Sequence, residues 1–575
     1  MSWLYVTFYF SAYALTGYLL LCLIERRHCL PGFSVSMCSV ALAFCLQPLF
    51  IYIYSILFGL NLGTLCALPL VVIVIFLAST RHGYDHVRPL SWPRLFTNVR
   101  EAVAFFGILS AMEFMIATLY WRLPFPKIVD GIVEIFPTIH DLHKHMAFSA
   151  AIGSLERGSA AIIDPFFYFE RLRYYIFYYL PIYTIHEFCG IPLTTSFFLV
   201  TLLLSLLFMS LYYILAKSLL KDYRASLLAF SLVTLVANLD LLMHWIRGGD
   251  ELTGKGLECW KWVNVLGISM LGGRPILNWY TYVPQHFLGG LALILILFLF
   301  TRHRLNLRLS IVIALLLGTL WGASFYVAIP VITAILLLAA SMKFSQGLRK
   351  AFHNAGHSFA HLRLMLILML ALSFLLIANL INVRRLATET GTNFLIHCFR
   401  IPLPLIIAYP LNLGAAYILG IWGLYRGWRT GAIKSSFPMI LCFFLLFSSA
   451  LIAAVPKRTI DWKNNILLPA QLCLPLFAGL LITAPRRERS RSQLARMGMA
   501  CILAGCAMLM LIGVATTFVQ FQRFRNAHTV SEDKYRLIEW IKHNTQPNSR
   551  FAVFDDAYDS ISFYIPVHSH RPVRA

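Results

Sequence analysis

The strongest constraint in this chain is a succession of apolar runs, each about as long as a bilayer core is thick. A spanning helix needs roughly 20 such residues. Windows of this kind fall at 3–24, 34–59, 62–79, 102–121, 193–216, 225–246, 283–300, 309–323, 325–341, 364–382, 401–424, 435–454, 466–484 and 497–520. No Lys or Arg sits at the centre of any of them, where a cation costs about 2.5–3.5 kcal/mol. In lipid every backbone polar group must be satisfied internally, so runs this long predict helices. The expectation is therefore an all-α polytopic membrane protein with about fourteen transmembrane helices. Composition agrees: only 13% of the 575 residues are charged, against about 25% in a soluble domain. The first run lacks a basic leading region and a small-residue cleavage site, so it is expected to be a span and not a signal peptide.

Charge placement orients the array. Basic residues cluster at Arg26/Arg27, Arg81–Arg100, Lys217–Arg224, Arg302–Arg308, Lys343–Arg363, Arg426–Lys434 and Arg486–Arg496. These are alternate loops when the N-terminus lies outside, and the positive-inside rule assigns them to the cytoplasm. The net charge of +23 is then topology signal and contact with lipid headgroups, with no nucleic-acid partner. Both termini are expected outside the cytoplasm, in the inner (plasma) membrane of a bacterium. The acids concentrate in the opposite, outer loops, where chemistry would be sought.

One segment resists this count. Residues 174–190 (YYIFYYLPIYTIHEFCG) are apolar but carry Pro181, His186, Glu187 and Gly190. Counting them as a span would invert every later loop, so a re-entrant or interfacial helix is expected there. The organisation read from the chain is a transmembrane domain over 1–520, with long outer loops near 122–173 and 247–282, and a small extracytoplasmic C-terminal segment over 521–575. The latter opens with a helical pattern, SEDKYRLIEWIKHN, capped by Ser531, and continues into a strand-like FAVF at 551–554.

The first outer loop holds His140, Asp141, His143 and His145 within six residues. A carboxylate among imidazoles can act as a general base or bind a divalent metal such as Mg or Mn; it can equally be a solvated loop whose Asp141 caps a helix. Helical spacing puts Asp141 and His145 on one face, which makes them the metal-ligand candidates. Arg171 and Arg173 follow among aromatics that include Tyr174 and Tyr175. Such a pair suits a phosphate or diphosphate headgroup, or else snorkels from an aromatic belt. Arg274, Trp279, Gln285 and His286 follow the next outer loop, and Arg384/Arg385 add an outer cationic pair. Gln285 and His286 open a span and would turn polar groups into an outer vestibule. Glu113 is the one acid near mid-span, a functional candidate by position. His353, His357 and His361 repeat every four residues, which predicts one face of a basic surface helix. Twelve cysteines include no CxxC pair, and no nucleotide-binding fingerprint occurs in a credible context.

Three stretches carry a resemblance: DPFFYFERLRYYIFYYLP after Asp141-Leu142-His143, then YVPQHFLGGLALIL, then LLLGTLWGASFYVAIP. Over roughly residues 100–345 the chain resembles largely uncharacterised bacterial membrane proteins related to the GT-C glycosyltransferase superfamily. The resemblance implies a GT-C-like core and transfer of a sugar from a polyprenyl-phosphate carrier on the outer leaflet. It implies Asp141 as catalytic or metal-binding acid, with His143 assisting. Arg171, Arg173, Arg274, Arg384 and Arg385 would then hold phosphate, and Tyr174, Tyr175 and Trp279 would line the sugar or prenyl site. The alternatives are a secondary transporter or flippase for a lipid-linked or anionic substrate, built around Glu113, and a noncatalytic partner among envelope-polysaccharide assembly proteins.

Overall fold

The computed structural model describes residues 2–25, 32–80, 95–119, 127–129, 131–137, 142–155, 162, 172, 174–235, 284–380, 403–453, 467–483, 527–546, 549, 551–552 and 573–574, with a few positions between 504 and 511. The helices in chain order are α1 (Ser2–Glu25), α2 (Phe33–Phe58), α3 (Leu62–Thr80), α4 (Val99–Leu119), α5 (Leu142–Ala151), α6 (Tyr179–Cys189), α7 (Leu193–Leu220), α8 (Tyr223–Leu235), α9 (Pro284–Arg302), α10 (Leu307–Ala323), α11 (Phe325–Phe344), α12 (Gln346–Asn354), α13 (Phe359–Leu380), α14 (Leu403–Arg429), α15 (Phe437–Ala453), α16 (Leu468–Thr483) and α17 (Glu532–Asn544). The chain is a polytopic α-helical membrane protein. Among the described residues seven helices are long and apolar enough to cross a bilayer, and four further apolar helices are shorter. All but the last of the expected windows coincide with a helix; 497–520 lies almost wholly outside the described residues.

Polar ties between helix ends follow the alternation that the basic clusters predict. On the expected cytoplasmic side, Arg308 Nη1 donates to Leu23 O at 2.8 Å, His303 lies 3.6 Å from Glu25, and Arg426 Nη1 donates to Leu481 O at 2.9 Å. Glu101 there is fully buried and accepts from Lys217 Nζ, from Tyr213 Oη at 2.5 Å, and from Thr97 N at 2.7 Å. With its lone pairs filled this acid clasps α4 to α7. On the opposite side, Leu60 N donates to Leu155 O at 3.5 Å and Ser2 Oγ to Gly190 O at 3.4 Å. Every tie joins ends that the sequence places on the same side.

Glycines set how closely the helices approach. In lipid no hydrophobic drive brings spans together, so small residues that admit backbone contact carry the packing. A Cβ at Gly423 of α14 would collide with the Phe477 carbonyl of α16, and one at Gly420 would meet Leu474 O at 2.8 Å. Within α14 the helix kinks at Gly414, whose φ is 46°.

Residues 179–189 form a helix of only 11 residues, too short to cross at 1.5 Å per residue. Gly190, in the left-handed conformation at φ 65°, ends it. The re-entrant expectation thus agrees with the observed geometry.

Two findings depart from the sequence expectations. The fold is not purely helical: β1 (Lys127–Val129) and β2 (Ile132–Pro137) of the first outer loop form an antiparallel sheet with β3 (Ala527–Ser531) of the C-terminal segment. The strand-like run expected at 551–554 does appear, as β4 (Phe551–Ala552) paired with β5 (Val573–Arg574). Three-residue strands lack the alternation that signals them in sequence. α17 does follow β3 with Ser531 Oγ accepting from Lys534 N as its cap. The other departure is the histidine repeat. His353 lies in α12, His357 in the turn after it and His361 in α13, because Gly356 at φ 74° breaks the helix. The three histidines therefore share no helical face.

His357 is instead buried at this turn. Its Nδ1 accepts from Leu305 N at 3.0 Å, and the rings of Phe300, Phe352 and Phe437 pack around it at 4.9–5.7 Å. Burial pushes its pKa down from 6.5 to about 4. The unfolded chain therefore binds this proton first. The contribution to stability is complete above pH 6.5 and drains away as pH falls toward 4, by up to about 3 kcal/mol. The thermal midpoint of the solubilised protein is expected to drop over that range. His357→Asn, whose side-chain oxygen can accept the same N–H without titrating, is expected to flatten the profile; an unchanged profile would remove His357 from this role.

Candidate functional site

At the expected outer end of the helices, segments distant in sequence meet. Residues 174–178 lead into α6 and dock on the end of α10: Phe177 N donates to Gly322 O at 3.0 Å, and the Phe177 ring fills the space a Cβ at Gly322 would need. This seat fixes the two tyrosines before it. Tyr174 and Tyr175 lie with ring centroids 3.8 Å apart and are half-buried. Tyr174 packs on Phe148 of α5 at 4.6 Å. Tyr175 lies 5.0 Å from His286 and 5.8 Å from Phe325.

His286 stands in the first turn of α9. Its Nδ1 is 2.7 Å from Ser324 Oγ, the hydroxyl that also caps α11 by accepting from Val327 N, and Tyr326 closes over its ring at 5.3 Å. Gln285 beside it is fully buried, and among the described residues neither amide atom has a hydrogen-bond partner. Leaving such a group unpaired costs about 1–3 kcal/mol. Both residues do sit at a helix N-terminus, as expected, but they are buried under aromatic rings and do not face an open vestibule.

His145 belongs to α5, the helix that follows Asp141. It is 3% exposed, stacked between Tyr179 and Phe197, with Nδ1 2.6 Å from Tyr179 Oη. Tyr178 donates to Thr201 Oγ1 at 2.6 Å, since that hydroxyl spends its own proton on Phe197 O. One turn further along α7, Ser205 Oγ donates to Glu113 Oε1 at 2.5 Å. The second carboxylate oxygen of Glu113 is buried and has no hydrogen-bond partner among the described residues.

Of the residues expected from sequence, the fold brings Tyr174, Tyr175 and His286 into one cluster, with Gln285 adjoining. His145 joins that cluster through Tyr179, Phe148 and Tyr174. Glu113 lies outside that cluster, bonded to Ser205 one turn further along the same face of α7. Asp141, Arg171, Arg173, Arg274, Trp279, Arg384 and Arg385 lie outside the described residues, as does the side chain of His143. Sequence reasoning missed Tyr179, Gly322, Ser324 and Tyr326, whose positions show only when the chain is folded. Among the described residues no three His, Cys, Asp or Glu side chains form a metal-holding group.

No family model matches the chain, and no curated protein matches it in sequence. Solved structures do. The chain is similar to the archaeal oligosaccharyltransferase AglB from Archaeoglobus fulgidus in complex with an inhibitory peptide and a dolichol-phosphate, at 12% identity and a TM-score of 0.46, covering 83% of this chain and 65% of that one. The same archaeal enzyme in complex with zinc and sulfate matches with a TM-score of 0.42 and 12% identity, over 81% of this chain and 62% of that one. ArnT from Cupriavidus metallidurans bound to undecaprenyl phosphate matches with a TM-score of 0.44 and 12% identity, over 82% and 85%. The chain thus spans less than two thirds of the length of the archaeal enzyme. All of these TM-scores lie below 0.5, and the chemistry below rests on the chain's own residues.

Proposed function

We propose that this chain is a membrane glycosyltransferase that takes a sugar from a polyprenyl-phosphate-linked donor on the extracytoplasmic side of a bacterial plasma membrane. One observation carries the reading. The three stretches on which the sequence resemblance rests converge at one place: Tyr175 from the first packs on His286 of the second, and Phe177 and His286 bond to Gly322 and Ser324 of the third. The half-buried rings of Tyr174 and Tyr175, at the edge of this cluster, suit the face of a sugar ring.

In the proposed reaction Asp141 accepts the proton of the acceptor hydroxyl as its oxygen bonds to the anomeric carbon. The bond from that carbon to the phosphate oxygen breaks, and its electron pair leaves on the polyprenyl phosphate. Arg171, Arg173, Arg274, Arg384 and Arg385 would stabilise that departing charge. His143 would orient the base, and Trp279 would extend the aromatic wall. A divalent metal held by Asp141 and His145 belongs to the same proposal, and no step above is routed through it. Envelope assembly proteins are the partners this activity would serve, with both termini outside.

Native mass spectrometry of the purified protein tests the lipid half of the proposal. Polyprenyl phosphate is expected to remain bound to the wild type and to be lost from Arg171→Ala/Arg173→Ala. Retention by the double variant would take the phosphate cradle away from the first outer loop.

A second reading keeps one specific observation on its side. Glu113, buried in a span with one carboxylate oxygen unpartnered among the described residues, suits the proton site of a secondary transporter or flippase. Loss of substrate flux across proteoliposomes in Glu113→Gln, with no sugar transfer by the wild type, would favour it.

A further inference from the structure

β2 is the central strand of the outer sheet, and it ends at Pro137, five residues before α5 begins at Leu142. Its partner on one side is β3, which belongs to the far end of the chain. The register is well defined: Ile132 opposes Ser531, Val133 opposes Val530, Glu134 opposes Thr529 and Pro137 opposes Ala527, with an irregularity between Glu134 and Phe136. Val133 is fully buried and Val530 8% exposed, so the pair also shares a small apolar core. The backbone bond from Glu532 N to Gly131 O, 3.3 Å, extends the attachment to the β1–β2 turn. α17 follows directly, with Ile538 and Ile541 buried and Tyr535 packed on the main apolar core. Burial and the neighbouring Glu539 raise the Tyr535 hydroxyl to about 12, so its ring enters that core uncharged.

A three-residue hairpin strand such as β1 cannot hold β2 in place alone, since an isolated two-stranded hairpin is at best marginally stable in water. The third strand and the helix behind it supply what is missing. We infer that the C-terminal segment 527–544 is a positioning element for the first outer loop: β3 fixes β2, and thereby α5, which packs on β2 and carries His145. The inference rests on the proposed function for its catalytic consequence and on the strand pairing for its structural one. No residue of 527–544 need touch a substrate.

The two consequences separate in experiment. Val530→Pro in the full chain introduces a residue that cannot donate to the ladder at the hydrogen-bonded position opposite Val133. Hydrogen exchange of the α5 amides is expected to accelerate in this variant, while the amides of α7 stay as slow as in the wild type. With a polyprenyl-linked sugar as donor, kcat is expected to fall about 100-fold, as displacement of a site residue gives, with the donor KM within about twofold of wild type. Val530→Ile, which keeps the backbone donor, is expected to behave as wild type in both measurements. Unchanged α5 exchange in Val530→Pro would overturn the inference whether or not the chain transfers a sugar. Accelerated exchange with kcat unchanged would also overturn it. A wild type inactive on every lipid-linked donor would bring down the proposed function, and the exchange result would still decide whether the segment holds the loop.

Discussion

Asp141→Asn is expected to reduce sugar transfer by about 1,000-fold, within the range that a general base contributes, while leaving the protein folded and its lipid bound. The asparagine matches the carboxylate in size and can accept a hydrogen bond, so a cap on α5 would survive the change. What it cannot do is take a proton from an acceptor hydroxyl. The expectation therefore separates the two roles that the sequence leaves open for this residue. If Asp141 only caps the helix, transfer persists. If it is the base, transfer is lost with an unchanged donor KM. Assays of kcat and KM on the purified variant, with α5 hydrogen exchange as the control for the cap, distinguish the two.

The second large effect is expected at a residue without any reactive group. Gly322→Val places a branched side chain where the Phe177 ring now lies. Phe177 is fully buried, so the ring has no free space to swing into, and overpacking of this kind costs about 1–3 kcal/mol or more. The same displacement breaks the bond from Phe177 N to Gly322 O. Tyr174 and Tyr175 are tied to α10 through that seat, so the substitution is expected to move them off Phe148 and His286 while the spans themselves stay assembled. A loss of transfer by at least about tenfold, with a folded, monodisperse protein on gel filtration, is the expected result. Full activity in Gly322→Val would show that the tyrosine pair is not part of the site.

The spans were legible in the sequence because hydropathy over about 20 residues is a direct record of the bilayer. The alternation of basic loops was legible for the same reason, and ties such as Arg308 to Leu23 and Lys217 to Glu101 respect it. The short helix at 179–189 was found through a contradiction, since a full span there would have reversed the charge pattern. The convergence of Tyr175, His286 and Ser324 was not legible from periodicity. It depends on a long-range docking event at Gly322, and nothing local distinguishes this glycine from the others near it. The sheet was missed for a related reason: β2 and β3 are almost 400 residues apart in sequence, and short strands gain their stability from pairing, not from pattern. The basic surface helix expected at the histidine repeat is present over Gln346–Asn354, but a four-residue spacing says nothing of Gly356, which ends it before His357.

The most direct measurement is the release of polyprenyl phosphate from a radiolabelled polyprenyl-phosphate sugar by the purified protein, with a panel of hydroxyl-bearing acceptors. The proposed function predicts free polyprenyl phosphate and a labelled acceptor in equal amounts from the wild type, and neither from Asp141→Asn. An intact donor after incubation with wild-type protein, together with Glu113-dependent movement of the same lipid across proteoliposomes, would contradict it.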